Sequence, residues 1–171
     1  MSYKVCVLST SRADYGIYRS VLEWLQAEPT LDLQLAVGGM HLSESHGSSV
    51  ERIVADGYPI AARVPSMPSD DSELAVADAM ASATSGFARA LHSIQPDIAV
   101  VLGDRYEMHA GALAALPLRI PVAHIHGGDE TEGAIDNSLR HSITKLSHLH
   151  FPATQLAATR IQIGRASCRE R

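Results

Sequence analysis

The stretch Asp97-Ile98-Ala99-Val100-Val101-Leu102, which runs directly into Gly103-Asp104-Arg105-Tyr106-Glu107, decides the fold. Apolar residues follow one another without alternation, the pattern of a strand covered on both faces, as in a parallel sheet. A glycine, a carboxylate and a cation come immediately after it. Working outward, Tyr106–Leu116 and Glu73–Ile94 are alanine-rich and predict helices on either side. Tyr3–Leu8, Leu31–Val37, Pro59–Val64, Ile120–Ile125 and His148–Phe151 read as further strands. Between them, Tyr15–Gln26, Val50–Ala55 and Ile135–Lys145 carry apolar residues at helical spacing. Strand and helix alternate along the whole chain, which predicts an α/β fold with a doubly wound parallel sheet.

Composition sets the outer bounds. The 171 residues suit one domain and are 46% hydrophobic and 19% charged. Aromatics are only 5%, so the core must be aliphatic. A formal charge of −5 argues against a nucleic-acid partner. No apolar run has the length of a membrane span, and Met1–Thr10 does not read as a signal peptide. Cys6 and Cys168 make no disulfide framework, which points to the cytoplasm. Cys6, between Val5 and Val7, reads as an inert core residue.

In a doubly wound sheet, ligands sit beyond the carboxyl ends of the strands. The segments to inspect are therefore Ser9–Gly16, Gly38–Gly47, Gly103–Glu107 and His126–Asp136. The first contains neither a dinucleotide G-x-G-x-x-G nor a phosphate-loop G-x-x-x-x-G-K-[ST]. It offers small hydroxyl residues before a helix, with Arg12 as a forked cation suited to phosphate. Equally, it is a capped helix start with Arg12 solvated or paired to Asp14. Asp104 is placed for acid/base work or as a helix cap. In His124-Ile125-His126, alternation puts both imidazoles on one face of a strand. Metal binding, proton transfer and packing all remain open for this pair and for His148 and His150. Asp136 can cap the helix that follows, with Arg140 one turn on along the same face; equally, the two are a surface pair.

Longer strings carry a resemblance. S-R-A-D-Y-G at 11–16, G-G-M-H-L at 38–42, L-G-D-R-Y-E at 102–107 and H-I-H-G-G-D-E-T-E-G-A-I-D-N-S-L-R-H-S-I-T-K-L-S-H-L-H-F at 124–151 resemble the hydrolysing UDP-N-acetylglucosamine 2-epimerases. The similarity is strongest to the bacterial branch of sialic acid and legionaminic acid synthesis and spans Lys4 to about Gln162. It implies the N-terminal half of a glycosyltransferase-B-like enzyme with its active site between two Rossmann-like halves. It also implies inversion at C2 of the sugar with loss of UDP, through a 2-acetamidoglucal, on UDP-N-acetylglucosamine or a 2,4-diacetamido-trideoxy relative. That chemistry needs no metal and no nicotinamide.

By the same resemblance, Asp104, His126 and Asp136 are the catalytic set. His126 stands where many members carry glutamate, and histidine transfers protons near neutral pH. Arg12 matches a phosphate-contacting arginine. His41, Arg140 and His141 match recurrent substrate-binding positions. The full-length protein is expected to be a homo-oligomer. Residues 1–162 are expected to form the domain, with the nucleotide-binding C-terminal half absent and 163–171 a non-native tail resembling a translated sequencing adapter. Two rival readings are a metal-dependent hydrolase built on the H-x-H pairs and a non-catalytic sugar-nucleotide binding module.

Overall fold

A computed structural model describes residues 2–132 and 135–169, without the side chains of His46 and of 164–169. Strands β1 (Tyr3–Ser9), β2 (Leu31–Gly38), β3 (Ile60–Val64), β4 (Ile98–Leu102), β5 (Val122–Ile125) and β6 (Leu149–Phe151) form one sheet. Every pairing is parallel and the order is β3-β2-β1-β4-β5-β6. The chain builds outward from β1 in one direction, then crosses to β4 and builds in the other. That reversal opens a crevice at the carboxyl ends of β1 and β4, where doubly wound folds place their ligands.

Alternation along the inner strands divides the core in two. Val5 and Val7 of β1 point to one face, where Tyr18, Leu22 and Leu25 of α1 (Arg12–Ala27) and Ile53 of α2 (Val50–Ala55) cover them. Cys6 and Leu8 point to the other, where α3 (Glu73–Ile94) and α4 (Tyr106–Ala115) bring Ala83, Phe87, Leu91 and Met108. The alanines of α3 recur at 75, 79 and 83 on one buried stripe, which lets α4 approach closely. Phe87 is fully buried, and its truncation to alanine would cost about 3–5 kcal/mol.

The helix over 12–27 begins three residues before the predicted start at Tyr15. Its cause is a capping box: the Ser11 side chain accepts from the Asp14 N–H, and the Asp14 carboxylate accepts from the Ser11 N–H. Arg12–Gly16 is thus helix, not loop. Gly39–Leu42 and Glu44–His46 form two short 3-10 helices inside the segment expected to be open loop. Helix α5 (Asp136–Leu146) follows the glycine-rich loop, and α6 (Gln155–Arg169) closes the sequence of elements. The sequence pattern predicts no element over 152–162; Ala157 and Ile161 bury a narrow apolar face of α6. The backbone of the expected tail continues α6 as far as Arg169, and its side chains from 164 on, Cys168 included, lie outside the described residues.

Candidate functional site

The site grows from the carboxyl ends of four strands. After β1, Asp14 is buried and turned inward, accepting from the Thr10 N–H at 3.0 Å, the Thr10 hydroxyl at 2.8 Å and the Ser11 N–H at 2.9 Å. These bonds shape the tight entry to α1. The guanidinium of Arg12 lies against Gly47, toward the segment after β2. Arg12 lines two concavities. One, of about 500 Å³, is shared with Tyr15, Arg19, His41 and Ser49. The other, of about 370 Å³, is shared with Ser11, Met40 and Arg105.

His41 is fully buried, hydrogen-bonded through Nε2 to Ser9 Oγ at 2.9 Å and through Nδ1 to Ser49 Oγ at 2.7 Å. Tyr15 meets its ring edge-on. Burial pushes the imidazole down to about 4, against the pull of Asp14. His41 therefore ties the end of β1 to the loop after β2.

After β4, Asp104 does not cap α4; the residue before that helix is Arg105, with no side-chain cap. The Asp104 carboxylate instead accepts from Arg140 Nη2 of α5. Arg140 is not the surface partner of Asp136 that its spacing suggests, because its side chain is only 6% exposed and aims at the end of β4. Asp136 is the first residue of α5, and Ile135, in the capping position before it, makes no side-chain cap bond among the described residues. Asp136 lies one turn before Arg140 on the same helix. His141 is exposed, roughly 100° further round the helix.

Strand β5 ends at Ile125, and His126 has a positive φ of 60°. Alternation therefore stops before His126, and the two imidazoles part. His124 is fully buried, with Nε2 on the Gly103 carbonyl at 2.7 Å and Nδ1 on Thr144 Oγ1 at 3.2 Å. His126 is 41% exposed and donates from Nδ1 to Asp129 at 3.3 Å. Asp104 and His126 leave neighbouring strands side by side, since Leu102 pairs with Ile125 and the Gly103 N–H donates to the Ile125 carbonyl at 2.9 Å. The loop beyond is anchored at two points. Asn137 bonds both the N–H and the carbonyl of Thr131, and Arg160 of α6 reaches Glu130 and the Gly128 carbonyl.

The structure thus brings Asp104, His126 and Arg140 to one edge of the sheet, with Asp136 one turn before Arg140 on α5, and Arg12 to the adjoining concavities. It leaves His41 beneath that surface and His141 outside it. Two residues that the sequence pattern does not single out stand beside this site. Arg105 lines the concavity with Arg12, and the fully buried Glu107 holds its guanidinium through Nε at 3.2 Å and Nη2 at 3.0 Å. A charged residue on an otherwise apolar helix face was the available signal for Glu107. His124, for which the sequence leaves metal binding, proton transfer and packing open, is buried beneath the site. Among the described residues, no group of three or more His, Cys, Asp or Glu side chains is placed to hold a metal ion, and no helix is long and apolar enough to cross a membrane.

A Rossmann-like domain with carboxylate, imidazole and arginine side chains at the carboxyl ends of its strands is the class that fold and site define. Residues 23–166 match the family described as UDP-N-acetylglucosamine 2-epimerase, and the chain belongs to that family. It is 40% identical over 161 residues to the UDP-N,N'-diacetylbacillosamine 2-epimerase (hydrolyzing) of Legionella pneumophila, covering 94% of this chain and 42% of that protein. It is 35% identical over 162 residues to the UDP-N-acetylglucosamine 2-epimerase of Neisseria meningitidis, covering 94% of this chain and 41% of that protein. The fold superposes on the crystal structure of the UDP-GlcNAc 2-epimerase from Neisseria meningitidis bound to UDP-GlcNAc with a TM-score of 0.80, at 21% identity over 95% of this chain and 43% of that one. The chain spans about two-fifths of the length of the relatives it matches.

Proposed function

We propose that residues 1–162 supply the N-terminal half of a hydrolysing UDP-sugar 2-epimerase, and that 163–171 stand outside that domain. Asp104, His126 and Asp136 are the acid/base set, and Arg12, with Arg105 beside it, faces the departing diphosphate. One member of the set takes the C2 proton while the C1–O bond breaks and its electron pair leaves with UDP. The resulting 2-acetamidoglucal adds water: hydroxyl to C1, and a proton to the opposite face of C2 from a second member. Arginine donors stabilise the negative charge that grows on the diphosphate. The observation that carries this reading is the emergence of Asp104 and His126 side by side from β4 and β5, with Arg140 holding the aspartate. Two relatives named as hydrolyzing, at 40% and 37% identity, support the hydrolytic course.

Both of those relatives are named for N,N'-diacetylbacillosamine, which favours a UDP-2,4-diacetamido-trideoxy sugar as a second substrate reading beside UDP-N-acetylglucosamine. In either case the enzyme works in the cytoplasm as a homo-oligomer, and turnover requires a second Rossmann-like half. The test uses the whole protein encoded by the native gene, assayed for UDP release from each sugar nucleotide. Asp104→Asn should lose on the order of 100-fold or more in kcat while still unfolding cooperatively. Near-normal turnover removes Asp104 from the reaction. The 171-residue chain alone should release no UDP, and a rate like that of the whole protein overturns the need for a second half.

A further inference from the structure

The geometry points to His124 as a positioning residue that holds the Asp104 turn and the His126 loop in register. It lies in β5, two residues before His126, and touches neither concavity. Its ring is nevertheless fixed at both nitrogens. Nε2 meets the Gly103 carbonyl, the residue that turns the chain at a φ of 74° into Asp104. Nδ1 meets the hydroxyl of Thr144, on the same helix that sends Arg140 to Asp104. Gly127, next to His126, packs onto this pair so closely that an added Cβ would lie 2.8 Å from His124 Nδ1 and 3.1 Å from Thr144 Oγ1.

Elementary hydrogen-bond chemistry assigns the protons. A carbonyl only accepts, so the ring carries its proton on Nε2 and Nδ1 accepts from the Thr144 hydroxyl. A second proton on the ring would set two donors against each other at Nδ1 and Thr144 unless the hydroxyl turned away. Burial opposes that proton, as do Arg140, His126 and His150 nearby, and the imidazole is pushed down to about 4. A neutral ring of fixed tautomer is thus a rigid strut between β4, α5 and the glycine-rich loop. Its importance to turnover rests on the proposed roles of Asp104 and His126; the strut itself does not.

Long-range 15N–1H correlation on the 171-residue chain at neutral pH reads the tautomer directly. The Nε2–H form is expected, and the Nδ1–H form overturns the proposal. Glutamine keeps an N–H near the Nε2 position, whereas phenylalanine keeps the ring and loses both nitrogens. His124→Gln should hold the amide resonances of 103–105 and 126–128 near their native positions. His124→Phe should move both sets while leaving 5–8 in place. If His124→Phe moves neither, or His124→Gln moves both as far, the strut is refuted. Should His124→Phe fail to fold, Thr144→Val decides: it must shift the His124 Nδ1 and Gly127 amide resonances, and unchanged resonances overturn the proposal. These readouts need no catalysis, so their failure leaves the epimerase reading standing, and loss of that reading leaves them intact.

Discussion

Arg140 on α5 donates through Nη2 to Oδ2 of Asp104, joining the helix after the glycine-rich loop to the turn after β4. The two partners are unequally buried, with side chains 6% and 23% exposed. Nε and Nη1 of Arg140 are buried without an acceptor among the described residues, so its charge leans on Asp104. Removing the carboxylate strands a buried cation, whereas removing the arginine leaves an aspartate that reaches water. Asp104→Asn should therefore cost on the order of 2–3 kcal/mol, and Arg140→Met less. Urea unfolding of both single variants and the double variant should give a coupling of about 1 kcal/mol or more. Strict additivity would show that the pair contributes nothing to the fold.

Gly39 and Gly16 make opposite predictions for the same substitution. Gly39 follows β2 at a φ of 51°, and an added Cβ would lie 2.7 Å from Glu107 Oε1 and 3.0 Å from the Thr10 carbonyl. Gly16 sits inside α1, and its Cβ would meet nothing within 4 Å. Gly39→Ala should destabilise by about 1–3 kcal/mol, through strain and displacement of the buried carboxylate. Gly16→Ala should stabilise by up to about 1 kcal/mol, because the unfolded chain loses freedom and the helix gains a better former. Thermal midpoints that fall for Gly39→Ala and rise for Gly16→Ala satisfy both; equal changes contradict the packing described here.

Much of this architecture was legible in the sequence because parallel strands buried on both faces need unbroken apolar runs. Val5 to Leu8 and Ile98 to Leu102 fit nothing else as well, and observed strand ends differ from the predicted ones by no more than two residues. The start of α1 is also written there, as Ser11-x-x-Asp14, and of the two alternatives for this segment the capped helix start is the one that forms. What spacing concealed was tertiary. Asp136 and Arg140 stand one turn apart, the separation of a surface pair, yet the arginine reaches Asp104, 36 positions earlier. Only the placement of α5 within reach of the turn after β4 decides that choice. In the same way, the period of β5 promised His124 and His126 a common face, and a single left-handed residue at the strand end separated them. Glu107 pairs with Arg105 only two residues away, but its burial depends on the chain just after β2 passing close by at Gly39.

Cys6 makes a chemical prediction. It is fully buried in mid-strand, and burial pushes its thiol up to about 12. Thiolate is the reactive form, so Cys6 should resist alkylation at pH 8 in the folded chain. Peptide mapping after iodoacetamide treatment should find Cys6 modified only when denaturant is present. Rapid labelling without denaturant would mean that the β1–β4 core opens on the timescale of the reaction.

The buried histidines make stability depend on pH in a defined window. His41 and His124 are both pushed from 6.5 down to about 4, chiefly by burial, and burial lowers His109 as well. As pH falls through 6.5 the unfolded chain takes up protons that the folded chain still refuses, so the unfolded state is favoured. Stability should therefore be level above about pH 7 and fall steadily toward pH 4, by at most about 3 kcal/mol for each of the two strongly shifted rings. Carboxylates titrate mostly below about pH 5, so the interval from about 6.5 to 5 isolates the histidines. Urea midpoints measured across it should decline for the native chain and decline less for His124→Gln, whose amide does not titrate. A native chain equally stable at both ends of that interval would mean that these rings accept protons in the fold. The neutral contacts from His41 to Ser9 and Ser49, and from His124 to Gly103 and Thr144, would then not be what holds the site together.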